Sequence, residues 1–201
     1  MNAFDELCQK QETWVIKYCS VSFESPLYLV WYTDTDENST DRLLTYKNGK
    51  IYAANSLSGL RESILKSLED LIYSENLVAW LAGFNNSETE EYYTYDTNAI
   101  QAGVQQSNLD VPTLEGLANF INLFGDVVQQ DSRNEYLEIY WEDELLKFAW
   151  EYFYDFIFWP RFNDKDRFEN FVRPELELDS NELLYRIKVV REVLDSQIKT
   201  V

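Results

Sequence analysis

The chain has 201 residues and a formal net charge of −19, from 17 basic and 36 acidic side chains. Hydrophobic residues make up 45% of the sequence and aromatic residues 16%, which is enough apolar surface for a packed core and excludes a disordered acidic polymer. Because like charges repel, this acidity argues against direct binding to nucleic acid or to an anionic membrane.

The N-terminal part of the sequence predicts an antiparallel sheet. Residues 13–19 and 27–32 are rich in β-branched and aromatic side chains, which is typical of strands. Residues 43–46 and 50–53 flank Asn48-Gly49, a pair that tolerates the positive φ angles of a tight hairpin turn. The sheet is therefore expected to contain a meander with a hairpin.

Helices dominate the rest of the prediction. Apolar side chains recur at spacings of three and four residues after Ser56, after Pro112-Thr113 and after the capping pair Asp179 and Glu182. The predicted helices span residues 57–71, 112–128, 142–159 and 179–198, with Pro160 ending the third, and residues 88–95 and 136–141 are predicted as strands.

These elements predict an α+β fold in which an N-terminal antiparallel sheet packs with several helices. We expect one domain over residues 1–201, with strands at about 13–54, a mixed acidic middle at 67–155 and a C-terminal helix at about 180–198. Residues 1–12 are polar and acidic, and no apolar run approaches the ~20 residues of a membrane helix, so a cytoplasmic location is expected. Cys8 and Cys19 are then expected to be reduced thiols.

The negative charge is concentrated in the middle of the chain. Residues 67–155 hold 18 acidic side chains and only two basic ones, Arg133 and Lys147, whereas the two flanking segments are nearly balanced. Scattered acids would serve solubility equally well. Charge of one sign in one segment instead favours a directed potential that steers a basic partner toward the protein.

The residue types of most catalytic and metal sites are absent. The chain has no histidine, which removes the usual general base near neutral pH, and two cysteines cannot form a closed zinc site. Residues 34–38 resemble the first half of a calcium-binding loop, but Ser39 and Thr45 stand where the loop requires a glycine and a glutamate. We therefore predict no enzymatic activity, no cofactor and no metal site.

Two clusters in the acidic middle mix carboxylates with tyrosines and are the candidate partner-binding residues. Interfaces favour tyrosine for its rigid area and polar tip, and carboxylates accept paired hydrogen bonds from arginine. If the second cluster is a half-buried strand, its tyrosines would face inward without any partner. The first cluster is Glu88, Glu90, Glu91, Tyr92, Tyr93, Tyr95 and Asp96; the second is Glu135, Tyr136, Glu138, Tyr140, Glu142, Asp143 and Glu144.

The leading functional hypothesis is an acidic protein inhibitor that binds and occludes a basic protein. Its most specific form is an immunity protein or antitoxin that neutralises a nuclease-type bacterial toxin, with carboxylates standing in for phosphates. Two alternatives remain open: a DNA-mimic or phage-encoded inhibitor of a nucleic-acid-binding protein, and a structural or adaptor subunit that uses the aromatic segment 148–159 as an interface.

Overall fold

The computed structural model describes residues 3–35, 40–84 and 93–201. It confirms the α+β class, with helices and strands combined in one chain. The strands are β1 Thr13–Cys19, β2 Leu27–Asp34, β3 Thr40–Leu43, β4 Thr45–Tyr46, β5 Ile51–Ala53, β6 Leu71–Ile72, β7 Tyr93–Asp96 and β8 Ile198–Thr200. The helices are α1 Ala3–Gln11, α2 Leu60–Ser67, α3 Glu75–Gly83, α4 Thr97–Gln105, α5 Val111–Gln129, α6 Glu138–Trp141, α7 Glu144–Phe153, α8 Trp159–Asn163, α9 Lys165–Phe168 and α10 Ser180–Gln197.

The first sheet has the strand order β3-β2-β1-β7. The predicted antiparallel arrangement holds for β1, β2 and β3, whereas β7 lies parallel to β1 with Tyr93 opposite Ile16. This sheet is therefore mixed. A parallel neighbour requires a long crossover, and here the chain between β1 and β7 supplies it.

The second sheet has the order β6-β4-β5-β8 and contains the predicted hairpin. Gly49 has a φ of +85°, and its N–H donates to the carbonyl of Tyr46 at 2.8 Å, which closes the turn as expected. Tyr28 and Ala54 exchange two backbone hydrogen bonds of 2.9 Å and so join this sheet to the first.

Helices cover both faces of the first sheet. Ile16 and Leu29 pack into one hydrophobic cluster with α4, α5, α7 and α10, while Val15 and Val30 pack into another with α1, α2 and α3. Adjacent strand residues point to opposite faces, so both faces of β1 and β2 are buried. This explains why apolar side chains occupy both faces of these strands instead of alternating regularly with polar ones.

The long helices begin where their capping residues lie. Asp110 Oδ1 accepts from the N–H of Thr113 at 3.0 Å at the start of α5. Asp179 Oδ1 accepts from the N–H groups of Asn181 and Glu182 at 2.8 and 3.2 Å, which confirms the predicted start of α10. These bonds satisfy backbone donors that the first turn of a helix leaves free.

Two predicted boundaries and one predicted element type are wrong. The helix predicted over 57–71 ends at Ser67, and Leu71 belongs to β6. Residues 136–141 form a 3-10 turn and α6 instead of a strand, because Leu137 and Trp141 face α5 at helical spacing. Pro160 does not end the third helix: a π-helical segment at Tyr154–Phe158 precedes it, and Pro160 occupies the first turn of α8, where no N–H is needed.

A buried polar network ties α10 to the first sheet. The hydroxyl of Tyr18 donates to Asp195 Oδ1 at 2.7 Å, and the hydroxyls of Ser20 and Ser22 donate to Oδ2 at 2.7 and 2.6 Å. The buried Arg191 places Nε 3.6 Å from the same Oδ2, which is an ion-pair distance. Asp195 therefore gathers four polar side chains around one carboxylate.

Candidate functional site

A pocket of about 560 Å³ opens between the first sheet and helices α5 and α7. Strands β2 and β7 supply Trp31, Tyr93 and Tyr95, while the helical side supplies Trp141 and Trp150. We call this cavity the aromatic pocket. Its size lies in the range of about 300–1,000 Å³ that is usual for ligand-binding clefts.

The sheet side of the aromatic pocket is a row of aromatic rings in contact. The ring of Tyr93 lies 6.4 Å from that of Trp31, nearly perpendicular to it, and 6.4 Å from that of Tyr95. Trp14 is the cross-strand neighbour of Trp31 on β1, and the centroids of the two rings lie 4.9 Å apart. Tyr93 and Tyr95 share one face of β7 because side chains alternate along a strand.

Hydrogen bonds hold the helical side in place. The indole N–H of Trp150 donates to Asn122 Oδ1 at 2.7 Å, and the amide of Asn122 donates to the hydroxyl of Tyr154 at 2.9 Å. The rings of Trp150 and Tyr154 also lie 4.5 Å apart. The Trp150 ring is thus fixed before any ligand arrives, which reduces the entropy lost on binding.

The close approach of Trp141 to α5 depends on a glycine. A Cβ atom at Gly125 would lie 2.8 Å from the indole nitrogen of Trp141, well inside normal contact distance. Gly125 is buried within α5, where glycine is otherwise unfavourable. This position therefore allows an aromatic wall that a larger residue would displace.

Asp126 is the carboxylate inside the aromatic pocket. Its Oδ2 accepts a hydrogen bond of 3.0 Å from the indole N–H of Trp31. Burial raises the pKa of Asp126, the Trp31 hydrogen bond lowers it and the nearby carboxylate of Asp41 raises it, and together they leave it at about 7. Burial, together with Asp126, also raises the pKa of Tyr95. Carboxyl groups perturbed in this way are concentrated at functional sites.

The charged groups at the pocket carry an excess of acid. Of the residues that the structure describes, Asp41, Asp126 and Glu142 line it together with one cation, Lys147. Lys147 Nζ lies 3.8 Å from Glu142 Oε2 with both side chains more than half exposed, so this pair contributes little. The potential in the pocket therefore favours a positively charged guest.

The first predicted cluster is only partly within the described residues. Glu88, Glu90, Glu91 and Tyr92 lie outside them. Tyr93 and Tyr95 line the aromatic pocket. Asp96 instead caps α4, where its Oδ1 accepts from the N–H groups of Asn98 and Ala99 at 3.0 Å each.

The second predicted cluster lies on residues 132–144, which we call the acidic segment. Glu135, Glu138, Glu142 and Glu144 are exposed. Tyr136 is 61% exposed and Ile139 is 75% exposed beside them, whereas Tyr140 is partly buried against the core. The interpretation with inward-facing tyrosines fails for Tyr136 because the segment is helical. Trp141 and Glu142 also line the aromatic pocket, so the two features adjoin.

Several acids of the middle segment have structural roles. Glu115 accepts from Arg161 at 3.0 Å, and Asp131 pairs with Arg133. Asp143 caps α7 and lies 3.4 Å from Arg186 Nε. Glu115, Asp131 and Asp143 are thus paired within the protein, whereas Glu135, Glu138, Glu142 and Glu144 of the acidic segment stay exposed.

We expect Asp143→Ala to lower the free energy of unfolding by about 1 kcal/mol, because α7 loses its capping hydrogen bonds. Urea denaturation measures this change. Glu144→Ala is the matched control, since its exposed side chain follows the cap, and should alter stability by no more than about 0.5 kcal/mol. Equal stability of the Asp143 variant and the parent would contradict the capping role.

Among residues 3–35, 40–84 and 93–201, no three metal-ligating side chains come together as a cluster. In the same ranges, no helix combines the length and the apolar character that crossing a bilayer requires. Neither Cys8 nor Cys19 forms a disulfide, and burial raises the pKa of Cys8 to about 11, which makes it a poor nucleophile.

Comparison with known proteins gives a fold relationship only. No protein-family model matches the chain, and no curated protein matches it in sequence. Among solved structures, the C-terminal domain of SatS, crystallised in complex with bromine, is similar over 96% of each chain, with a TM-score of 0.56 and 11% sequence identity. At this identity the similarity concerns the arrangement of helices and strands.

Proposed function

We propose that this protein binds a basic protein partner and inhibits it by covering its functional surface. The observation that carries the proposal is the acidic segment, where exposed Tyr136 and Ile139 lie among four exposed glutamates next to the aromatic pocket. Aromatic and apolar side chains supply contact area, and the carboxylates supply pairing for arginine and lysine. Both kinds of group are needed for a tight and selective interface.

The most specific form of this proposal is an immunity protein or antitoxin that neutralises a nuclease-type toxin. A nuclease groove is built to attract phosphates, so a row of carboxylates competes for the same basic residues. The field of the acidic protein also accelerates the encounter, which matters when a toxin must be captured quickly. A cytoplasmic setting belongs to this proposal and agrees with two cysteines that form no disulfide.

The test compares two variants with the same change of charge. The triple variant Glu135→Lys, Glu138→Lys, Glu144→Lys alters the acidic segment, and the control Glu24→Lys, Glu175→Lys, Glu177→Lys alters exposed acids elsewhere. Each tagged protein is used at low salt to capture partners from a lysate of the source organism, followed by elution in a salt gradient and measurement of association rates with the purified partner.

We expect the parent and the control to retain one basic protein that salt releases, and the segment variant to associate with it at least about tenfold more slowly. Identical association rates for the two variants would remove the acidic segment from the interface. A captured partner that is insensitive to salt would contradict the inhibitor proposal.

A second candidate, the adaptor subunit, is favoured by a different surface. Phe162 is 74% exposed and Trp159 is 49% exposed, and their rings lie 6.0 Å apart on α8. Exposed aromatic clusters are typical of interfaces that stay assembled. In the capture experiment this candidate predicts a partner that survives high salt and is lost in Phe162→Ser.

A further inference from the structure

We propose that the aromatic pocket receives a guanidinium group, carried by the basic partner as an arginine side chain. This inference rests on the proposed function, because it names the group through which the partner is recognised. Hydrogen bonds fix the walls of the aromatic pocket, and the acidic segment lies next to the pocket on the surface.

The shape of the cavity suits a flat cation. Trp31 and Tyr93 on the sheet side and Trp150 on the helical side present aromatic rings toward one space. Positive charge is attracted to the faces of such rings, most strongly to tryptophan. A guanidinium is planar and weakly hydrated, so it stacks on these rings at a smaller desolvation cost than a compact ammonium.

The carboxylates at the cavity supply the negative charge that pairs with a guanidinium. Trp31 donates to Oδ2 of Asp126, whereas Oδ1 accepts no hydrogen bond from any residue that the structure describes. Asp41 and Glu142 add negative charge at the same cavity. A guanidinium offers N–H donors in a fixed plane that a carboxylate can accept while the rings cover its faces.

The position of the cavity suits a guest that belongs to a larger partner. Trp141 and Glu142 line the pocket and also belong to the acidic segment, so a chain docked on that segment passes the pocket entrance. Tyr93 at the same cavity is 42% exposed, which shows that the site is reached from the surface. An arginine side chain is long enough to enter while its backbone stays outside.

The protonation of Asp126 supports this inference. Burial raises the pKa of Asp126, the Trp31 hydrogen bond lowers it and Asp41 raises it, which leaves it at about 7. Among the described residues, Tyr93, Tyr95, Glu142 and Lys147 are the other titratable groups that line the cavity. A cationic guest needs the ionised carboxylate and should therefore displace a proton. Binding should weaken by about tenfold between about pH 8 and pH 6, as the ionised fraction of Asp126 falls.

The test uses isothermal titration calorimetry on the whole chain with a blocked Gly-Arg-Gly peptide and its citrulline analogue, which is the same size and neutral. We expect the arginine peptide to bind at least about tenfold more tightly than the citrulline peptide, and Asp126→Asn to abolish both this preference and its pH dependence. Tyr93→Leu, which removes a ring but keeps apolar bulk, should weaken binding severalfold. Asp155→Asn, an exposed acid elsewhere, is the control and should leave the affinity unchanged.

Equal binding of the arginine and citrulline peptides would overturn the inference, as would an Asp126→Asn variant with the affinity of the parent. Free arginine is titrated in parallel. Tighter binding of the blocked peptide would support an arginine that belongs to a protein, whereas tighter binding of the free amino acid would overturn a protein as the source of the guanidinium. The two proposals fail separately. A partner whose binding needs the acidic segment but ignores Asp126→Asn leaves the inhibitor function standing without the inference, whereas arginine-peptide binding without a captured partner leaves the inference standing without the function.

Discussion

Replacing Asp195 with alanine should lower the free energy of unfolding by about 3–5 kcal/mol, the range found when one member of a buried ion pair is removed. The carboxylate accepts hydrogen bonds from Tyr18, Ser20 and Ser22 and faces the buried Arg191. Without it, the hydroxyls of Tyr18 and Ser20 and the guanidinium charge of Arg191 are left in a site with little access to water. Because this network connects α10 to the first sheet, the loss affects the whole fold.

Urea denaturation followed by circular dichroism measures this change, and thermal unfolding should show a midpoint lower by about 10 °C for a chain of this length. Glu192, which follows Arg191 in the chain, is the matched control, because it also pairs with Arg191 but its side chain is 66% exposed. Glu192→Ala should change stability by no more than about 0.5 kcal/mol. A loss below about 1 kcal/mol for Asp195→Ala would show that water or rearrangement satisfies these donors.

Asp126→Asn should stabilise the protein by about 2 kcal/mol at about pH 8 and by less than half as much at about pH 5. The folded state holds the pKa of Asp126 near 7, above the ordinary value of 3.8, so the folded chain binds more protons than the unfolded chain between these values. The contribution of Asp126 to stability therefore falls as pH rises from about 4 to 7, then stays constant. The neutral amide has no such loss, and its oxygen still accepts from Trp31.

The rise in the pKa of Asp126 from 3.8 to about 7 corresponds to a destabilisation of at most about 4 kcal/mol. Solvent at the pocket entrance screens the carboxylate and reduces this to the value of about 2 kcal/mol that we expect for the variant. Urea denaturation of the variant and the parent at both pH values measures the difference, so that other titrating groups cancel. Asp155→Asn, at an exposed carboxylate, should show no pH-dependent difference from the parent. Equal effects of Asp126→Asn at the two pH values would contradict a buried, proton-binding carboxyl.

Local signals in the sequence were sufficient for much of the fold. The predicted strands at 13–19 and 27–32, the Asn48-Gly49 hairpin and the Asp179 cap each depend on a few neighbouring residues, and the structure contains all of them. The parallel pairing of β7 with β1 and of β8 with β5 depends on contacts far apart in the chain. No local pattern distinguishes such an edge strand from an antiparallel one.

The wrong elements show where short patterns mislead. Residues 136–141 alternate polar and apolar side chains, but Leu137 and Trp141 are also four residues apart and both face the core. Six residues satisfy either period, and packing against α5 decides. Pro160 was expected to end a helix, yet the π-helical segment before it changes the spacing of the backbone hydrogen bonds, and a new helix begins at Trp159.

The candidate site was predictable only in part. Tyr93, Tyr95 and Glu142 were on the predicted list and do line the aromatic pocket. Trp31, Asp126 and Trp150 were missed, because they come from three elements that only the tertiary fold brings together. Asp126 alone carried a local signal: it is a carboxylate in the apolar run Leu123-Phe124-Gly125-Asp126-Val127-Val128, where an ionised side chain is costly unless it serves a purpose.

The walls of the aromatic pocket come from both layers of the molecule, with Trp31 and Tyr93 on strands and Trp141 and Trp150 on helices. Separating the helical layer from the sheet therefore destroys the cavity, and any occupant binds the native chain and not the unfolded one. By mass action, an occupant at a hundred times its dissociation constant adds about 2.7 kcal/mol to the stability of the native state. Occupancy and folding are thus thermodynamically linked, and the unliganded chain is the form that proteases and chaperones would most readily engage.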